Sequence, residues 1–141
     1  MIALAAALAV FYPQSQPFNM SGGMTVIAPG FTNQNCQFQI SGATINGEIV
    51  IQSASFCPGV VATGLPWSWE AGSVTNSTGH GVISVSVKGH ECGARTHKVM
   101  DSVGGFLIYP QRFNDCTIGG GASMTSPAIM IGRWPQDPVR H

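Results

Sequence analysis

The chain has 141 residues, a hydrophobic fraction of 44%, and six basic against six acidic side chains. That length suits one domain with a real core, and that hydrophobicity excludes disorder throughout. Charged residues make up only 9%, against about a quarter in ordinary soluble domains; this excludes steering of nucleic acid or acidic partners and removes the repulsion that keeps copies apart.

In chain order, Ile2 to Tyr12 is an apolar, alanine-rich run that ends near Ala7-Leu8-Ala9. It is too short to cross a bilayer as a helix and reads as a signal-peptide h-region with a small-residue cleavage site, though no Lys or Arg precedes it. If it stays in the mature protein, Leu4, Leu8, Val10, Phe11 and Phe18 become the apolar positions of an arm. Such an arm can add as a strand to a neighbouring copy's open sheet edge. Residues 1–17 are therefore set apart from a β domain over 18–132. The stretch 133–141, with two prolines and no periodicity, is expected as a surface tail.

Phe18 to Ile27 predicts a first strand, interrupted at Gly22-Gly23 and ended by Pro29-Gly30. The strongest local signal follows. Asn46-Gly47 lies between two alternating runs, and both residues tolerate the positive φ of a type I′ turn. A two-residue turn there pairs Ile45 with Glu48. Carried outward without interruption, that register sets Cys36 across from Cys57 on a non-hydrogen-bonded rung, where a disulfide fits. Phe38, Ile40, Gly42 and Thr44 then share a face with Ile49, Ile51, Ser53 and Ser55, while Gln37, Gln39, Ser41, Glu48 and Gln52, along with Val50 and Phe56, face the other way. The prediction is a disulfide-clasped hairpin. Four cysteines in all fit an oxidising compartment and two bridges, so Cys36–Cys57 leaves Cys92–Cys116.

Pro58-Gly59 ends the clasped hairpin, and an extended segment carries Trp67 and Trp69 on one side. The two indoles either cover a core edge or, with Tyr109, form an exposed aromatic patch for a sugar or an alkyl chain. Val82 to Lys88 is a period-two strand with Val85 and Val87 on one side and Ser84 and Ser86 on the other. Thr96 to Asp101 and Phe106 to Tyr109 form a second hairpin about Gly104-Gly105. Its register misses a Cys92–Cys116 rung by one residue, which calls for a bulge. A glycine-rich segment from Cys116 to Ser126 and a short strand from Ala128 to Ile131 complete the domain. No apolar run of helical period follows residue 12. The fold class is all-β: a single antiparallel β-sandwich or partly closed barrel, stapled by two disulfides.

Reaction chemistry finds little support. His90, Cys92 and His97 with Cys116 or Asp115 offer zinc-type ligands, but at none of the standard spacings and only by claiming bridged cysteines. No G-x-S-x-G elbow is present, and Glu48, Glu70, Glu91, Asp101 and Asp115 are scattered rather than paired. No catalytic residue, metal or cofactor is expected; a small secreted hydrolase or metalloprotein stands only as an alternative without a motif behind it.

The chain resembles the protein activators of alkane oxidation, the PraA/PraB-like family of small secreted bacterial proteins. The resemblance covers roughly residues 18 to 127. It is carried by the Phe18 strand with its Gly-Gly, by Cys36 opening a hairpin through Asn-Gly to Ile49-Val50-Ile51-Gln52-Ser53-Ala54-Ser55-Phe56-Cys57, and most specifically by Thr63-Gly64-Leu65-Pro66-Trp67-Ser68-Trp69. Cys92 and Cys116, the latter before a Gly/Ala/Ser-rich strand, also match. The resemblance implies a secreted or cell-surface protein without enzymatic activity, connected with growth on alkanes. It also implies surface-active or polymerising behaviour, as a filament or biofilm-matrix subunit. Low charge and open sheet edges suit the same reading: a homo-oligomer or polymer, in contact with hydrophobic surfaces or polysaccharide, with no nucleic acid and no membrane span. The alternative is a binding module that uses Trp67, Trp69 and Tyr109.

Overall fold

The computed structural model describes residues 8–102, 105–113 and 115–134. Among them the chain forms strands only. These are β1 (Leu8–Tyr12), β2 (Gln16–Ala28), β3 (Phe31–Ile45), β4 (Glu48–Ser55), β5 (Val60–Ala62), β6 (Trp67–Ser73) and β7 (Thr78–Val87). The second half adds β8 (His90–Ser102), β9 (Gly105–Ile108), β10 (Gln111–Phe113), β11 (Cys116–Gly119), β12 (Gly121–Ser126) and β13 (Met130–Trp134).

Turn chemistry explains the long hairpins. Gly30 adopts φ 75° between β2 and β3, and Asn46 and Gly47 adopt φ 52° and 85° between β3 and β4. Two successive positive φ values define the type I′ turn, whose twist matches that of the flanking strands. Ile45 pairs with Glu48 across it. Lys88 and Gly89, at φ 52° and 81°, repeat this geometry between β7 and β8, a turn for which Lys88-Gly89 was the unread signal.

Neighbouring strands follow the order β10-β11-β2-β12-β9-β8-β7-β6-β4-β3, with β5 on β7. Strand β2 also pairs with β3 over nearly its whole length. The sheet thus folds back on itself around a common core, and the single domain is sandwich-like, as the sequence pattern predicts. Phe18, Met20, Met24 and Val26 of β2 face Phe38 and Ile40 of β3, Ile49 and Ile51 of β4, and Val85 and Val87 of β7 in that core, all buried. β1 and β13 form a separate two-stranded antiparallel sheet.

The clasped hairpin departs from the uninterrupted register. Gly42 pairs with Ile51 but Ser41 pairs with Ser53, so a bulge inserts Gln52. Every residue of β4 beyond it changes face. Ser53 and Ser55 are exposed instead of sharing the buried face of Phe38 and Ile40, and Ala54 comes opposite Ile40. The physical reason is burial: the unbroken register would place two serine hydroxyls in the core without partners. Cys57 lies just past the end of β4, yet its Cα is 5.1 Å from that of Cys36, and the two are bridged.

Cys92 and Cys116 form the second bridge at a Cα separation of 5.7 Å. It does not sit within the β8–β9 hairpin, as the sequence reading supposed. That hairpin pairs Ser102 with Gly105, so its register centres one residue earlier than a Gly104-Gly105 turn. The bridge instead joins β8 to β11, a strand that pairs with β2 and β10. The stretch expected as a tail from residue 133 also changes assignment, because Arg133 and Trp134 pair with Ala9 and Leu8 in the β1–β13 ladder.

Candidate functional site

The N-terminal arm and the two tryptophans are the features on which the sequence reading set function, and the structure brings them to one region. Phe11 of β1 is wholly buried. Its ring meets Phe106 edge-to-face at 5.8 Å, and Phe106 in turn meets Trp69 edge-to-face at 5.6 Å. Outside this aromatic chain, the Phe11 amide donates to the carbonyl of Gly47 at 2.8 Å, and the Gly47 amide donates to Gln14 O at 3.1 Å. Val10, also buried, packs on Gly47 so closely that a Cβ there would stand 2.7 Å from Val10 Cβ. Glycine at 47 therefore serves two ends at once: the positive φ of the turn and the approach of β1. On the other side of β1, the Tyr12 hydroxyl donates to the Arg133 carbonyl.

Of the residues assigned to the arm, Val10 and Phe11 act together in β1, while Phe18 belongs to β2 and is part of the central core. Leu8 contributes backbone pairing with Trp134, and Leu4 lies outside the described residues. The arm is therefore a single strand, Leu8–Tyr12, closed on β13 of its own chain.

Trp67 and Trp69 take the core alternative, and their burial leaves no indole face exposed for the expected aromatic ligand patch. They are 1% and 0% exposed. The Trp67 Nε1–H donates to Thr63 O at 2.8 Å and the Trp69 Nε1–H to Val82 O at 2.9 Å. Each indole thus buries its apolar area with its one polar atom satisfied. Trp69 lies directly over Gly81, its cross-strand partner. Tyr109 follows β9 at the surface, 36% exposed, with neither tryptophan face available beside it.

The cysteines of the weighed metal set are bridged, so they offer no thiolate. Among the described residues, no three His, Cys, Asp or Glu side chains gather where an ion could be held; His97 and Asp101 have side chains outside that description. Glu70 stands 3.1 Å from His80 on the exposed surface, Glu91 accepts from the Thr63 hydroxyl at 3.3 Å, and Glu48 and Asp115 are exposed on their own turns.

One concave feature escaped the sequence reading. Strands β12, β2, β3 and β4 together line a groove of about 560 Å³. One row across them runs Ser126–Asn19–Ser41–Ser53, and the hydroxyls of Ser41 and Ser53 are hydrogen-bonded. The next row runs Met124–Ser21–Gln39–Ser55. The signal was present as alternating polar positions in each strand, but the bulge at Gln52 hid the contribution of β4.

Comparison with known proteins adds one finding: a family model described as alkane oxidation protein activator, PraA/PraB-like, matches residues 1–132 of this chain. No curated protein and no solved structure matches it.

Proposed function

The chain belongs to the alkane oxidation protein activator PraA/PraB-like family, and on that premise we propose that it is a secreted, non-enzymatic protein that self-assembles at or beyond the cell surface during growth on hydrophobic substrates. The assembling element is β1. The observation that carries this reading is the placement of Phe11: a strand outside the main sheet inserts one fully buried ring into the core and, among the described strands, forms its ladder with β13. A second copy's β1 can make the same contacts, because a five-residue strand joined to β2 by the short connection Pro13-Gln14-Ser15 can swing out as that connection reopens. The near absence of net charge supports close association of copies. Two disulfides suit an oxidising, extracellular setting. Contact with an alkane-rich surface is supported by large apolar side chains left outside, among them Val61 at 62% exposed and Met130 at 52%.

The test places cysteines at Ala9 and Arg133, which face each other across the β1–β13 ladder. If β1 is exchanged between copies, oxidised secreted material gives a ladder of covalent multimers on non-reducing gels, and electron microscopy of the same material shows filaments or other large assemblies. Oxidation solely within single chains, together with monomeric sedimentation, refutes exchange of β1.

A further inference from the structure

The groove across β12, β2, β3 and β4 lies on the outer face of strands whose inward side chains form the core, and no residue of β1 lines it. We propose that it binds a neutral, linear oligosaccharide lying across the strands. Three observations carry this. The first is chemical: the side chains on the two rows are hydroxyls, the amides of Asn19 and Gln39 and the thioether of Met124, with Met20, Ile40 and Ala54 also among the lining residues and no charged side chain. Hydroxyl and primary amide groups both donate and accept, which matches the paired donor and acceptor character of sugar hydroxyls. An anionic polymer finds no countercharge here, and an alkyl chain would strip water from the hydroxyls and amides without replacing their hydrogen bonds.

The second observation is spacing. Each row advances one side chain per strand, at about 4.8 Å, close to the length of one pyranose unit in an extended glycan. Successive sugars therefore meet successive strands, with Asn19 and Ser41 facing one edge of the chain and Ser21 and Gln39 the other. Met124, at 62% exposed, closes the second row with a thioether that suits the C–H face of a sugar ring.

The third is preorganisation. Between the two rows lie Thr125, Met20 and Ile40, all buried, so the groove floor is the backbone of strands anchored in the core. Thr125 is fixed further by accepting from the Ile129 amide at 3.0 Å. A volume of about 560 Å³ falls within the usual range for ligand sites.

The experiment uses the full-length oxidised protein and follows amide chemical shifts during titration with cellohexaose, maltohexaose and, as the anionic arm, hexagalacturonate. Saturable shifts confined to β2, β3, β4 and β12 are expected with at least one neutral hexasaccharide. Asn19→Ala combined with Gln39→Ala is expected to weaken that binding about tenfold or more, as two hydrogen-bonding groups are lost. Ser21→Trp, which fills the groove from its outward face, should abolish it; near-UV circular dichroism verifies the fold of each variant, and the double alanine variant decides if the tryptophan variant does not fold. The proposal is overturned if neither neutral sugar shifts these strands, if the double variant binds as well as the parent, or if hexagalacturonate binds more tightly than both. Because Asn19 and Gln39 belong to β2 and β3, outside the β1–β13 ladder, loss of sugar binding with unchanged multimer ladders separates this site from the assembly reading.

Discussion

Substituting Gly81 by Ala tests the account of the aromatic core directly. A Cβ at position 81 would lie 1.8 Å from Cδ1 and 2.3 Å from Cγ of Trp69, well inside contact distance, so the indole must move. It has nowhere to go without loss. Its Nε1–H bond to Val82 O contributes about 1 kcal/mol, and its edge contact with Phe106 about 0.5–1.5 kcal/mol. Forcing a methyl group into a filled interior costs about 1–3 kcal/mol more, while the reduced freedom of the unfolded chain returns at most about 1 kcal/mol. The expected net loss is about 3 kcal/mol. Urea unfolding monitored by tryptophan fluorescence measures it, and near-UV circular dichroism should show the Trp69 environment altered in the folded state. Gly72→Ala is the control in the same strand pair, because its Cβ would stand 3.3 Å from Thr78 O and requires only a small adjustment. If Gly81→Ala unfolds within about 0.5 kcal/mol of the parent with an unchanged near-UV spectrum, the contact between Trp69 and residue 81 is not as described, and the assignment of Trp69 to a rigid core fails.

The remaining predictions concern the clasp and the N-terminal strand. Replacing Cys36 and Cys57 together by serine should lower stability by about 3 kcal/mol, since the bridge closes a loop of 21 residues in sequence; chemical denaturation under non-reducing conditions measures it, and peptide mapping of the parent should recover Cys36 linked to Cys57. Phe11→Ala removes a ring that is 0% exposed and should cost about 3–5 kcal/mol, with faster proteolysis before Pro13 as the local readout. Gly47→Ala meets both φ 85° and Val10; it should destabilise by about 1–2 kcal/mol and increase hydrogen exchange at the Phe11 amide, whose acceptor is the Gly47 carbonyl.

Local signals were strong where one residue type has few alternatives. Asn46-Gly47 specified its turn because both residues accept positive φ, and the hairpin built on that turn brought Cys36 near enough to Cys57 to select one of three possible pairings, the one found, even though the bulge at Gln52 breaks the exact register. The Thr63-Gly64-Leu65-Pro66-Trp67 block pointed to the family that matches residues 1–132. Weaker signals failed for identifiable reasons. Ser53 and Ser55 alternate with the same period on either face, so period alone cannot say where a bulge reverses them. Trp67 and Trp69 share a side of their strand in either reading, and only the carbonyls of Thr63 and Val82 make burial of both indoles tolerable. Arg133 and Trp134 looked like tail because their partner strand is 121 or more residues distant, where no local pattern reaches.

The sequence by itself determined the strand character and the I′ turn, since these follow from backbone preferences within a few residues, and the turn in its own hairpin was enough to bring Cys36 to Cys57. Only the tertiary structure decided which faces are buried, that β8 is tied to β11, that β1 closes on β13, and that a hydroxyl-lined groove spans four strands. Each of those depends on register between segments far apart in the chain, and a shift of one residue exchanges the inside for the outside.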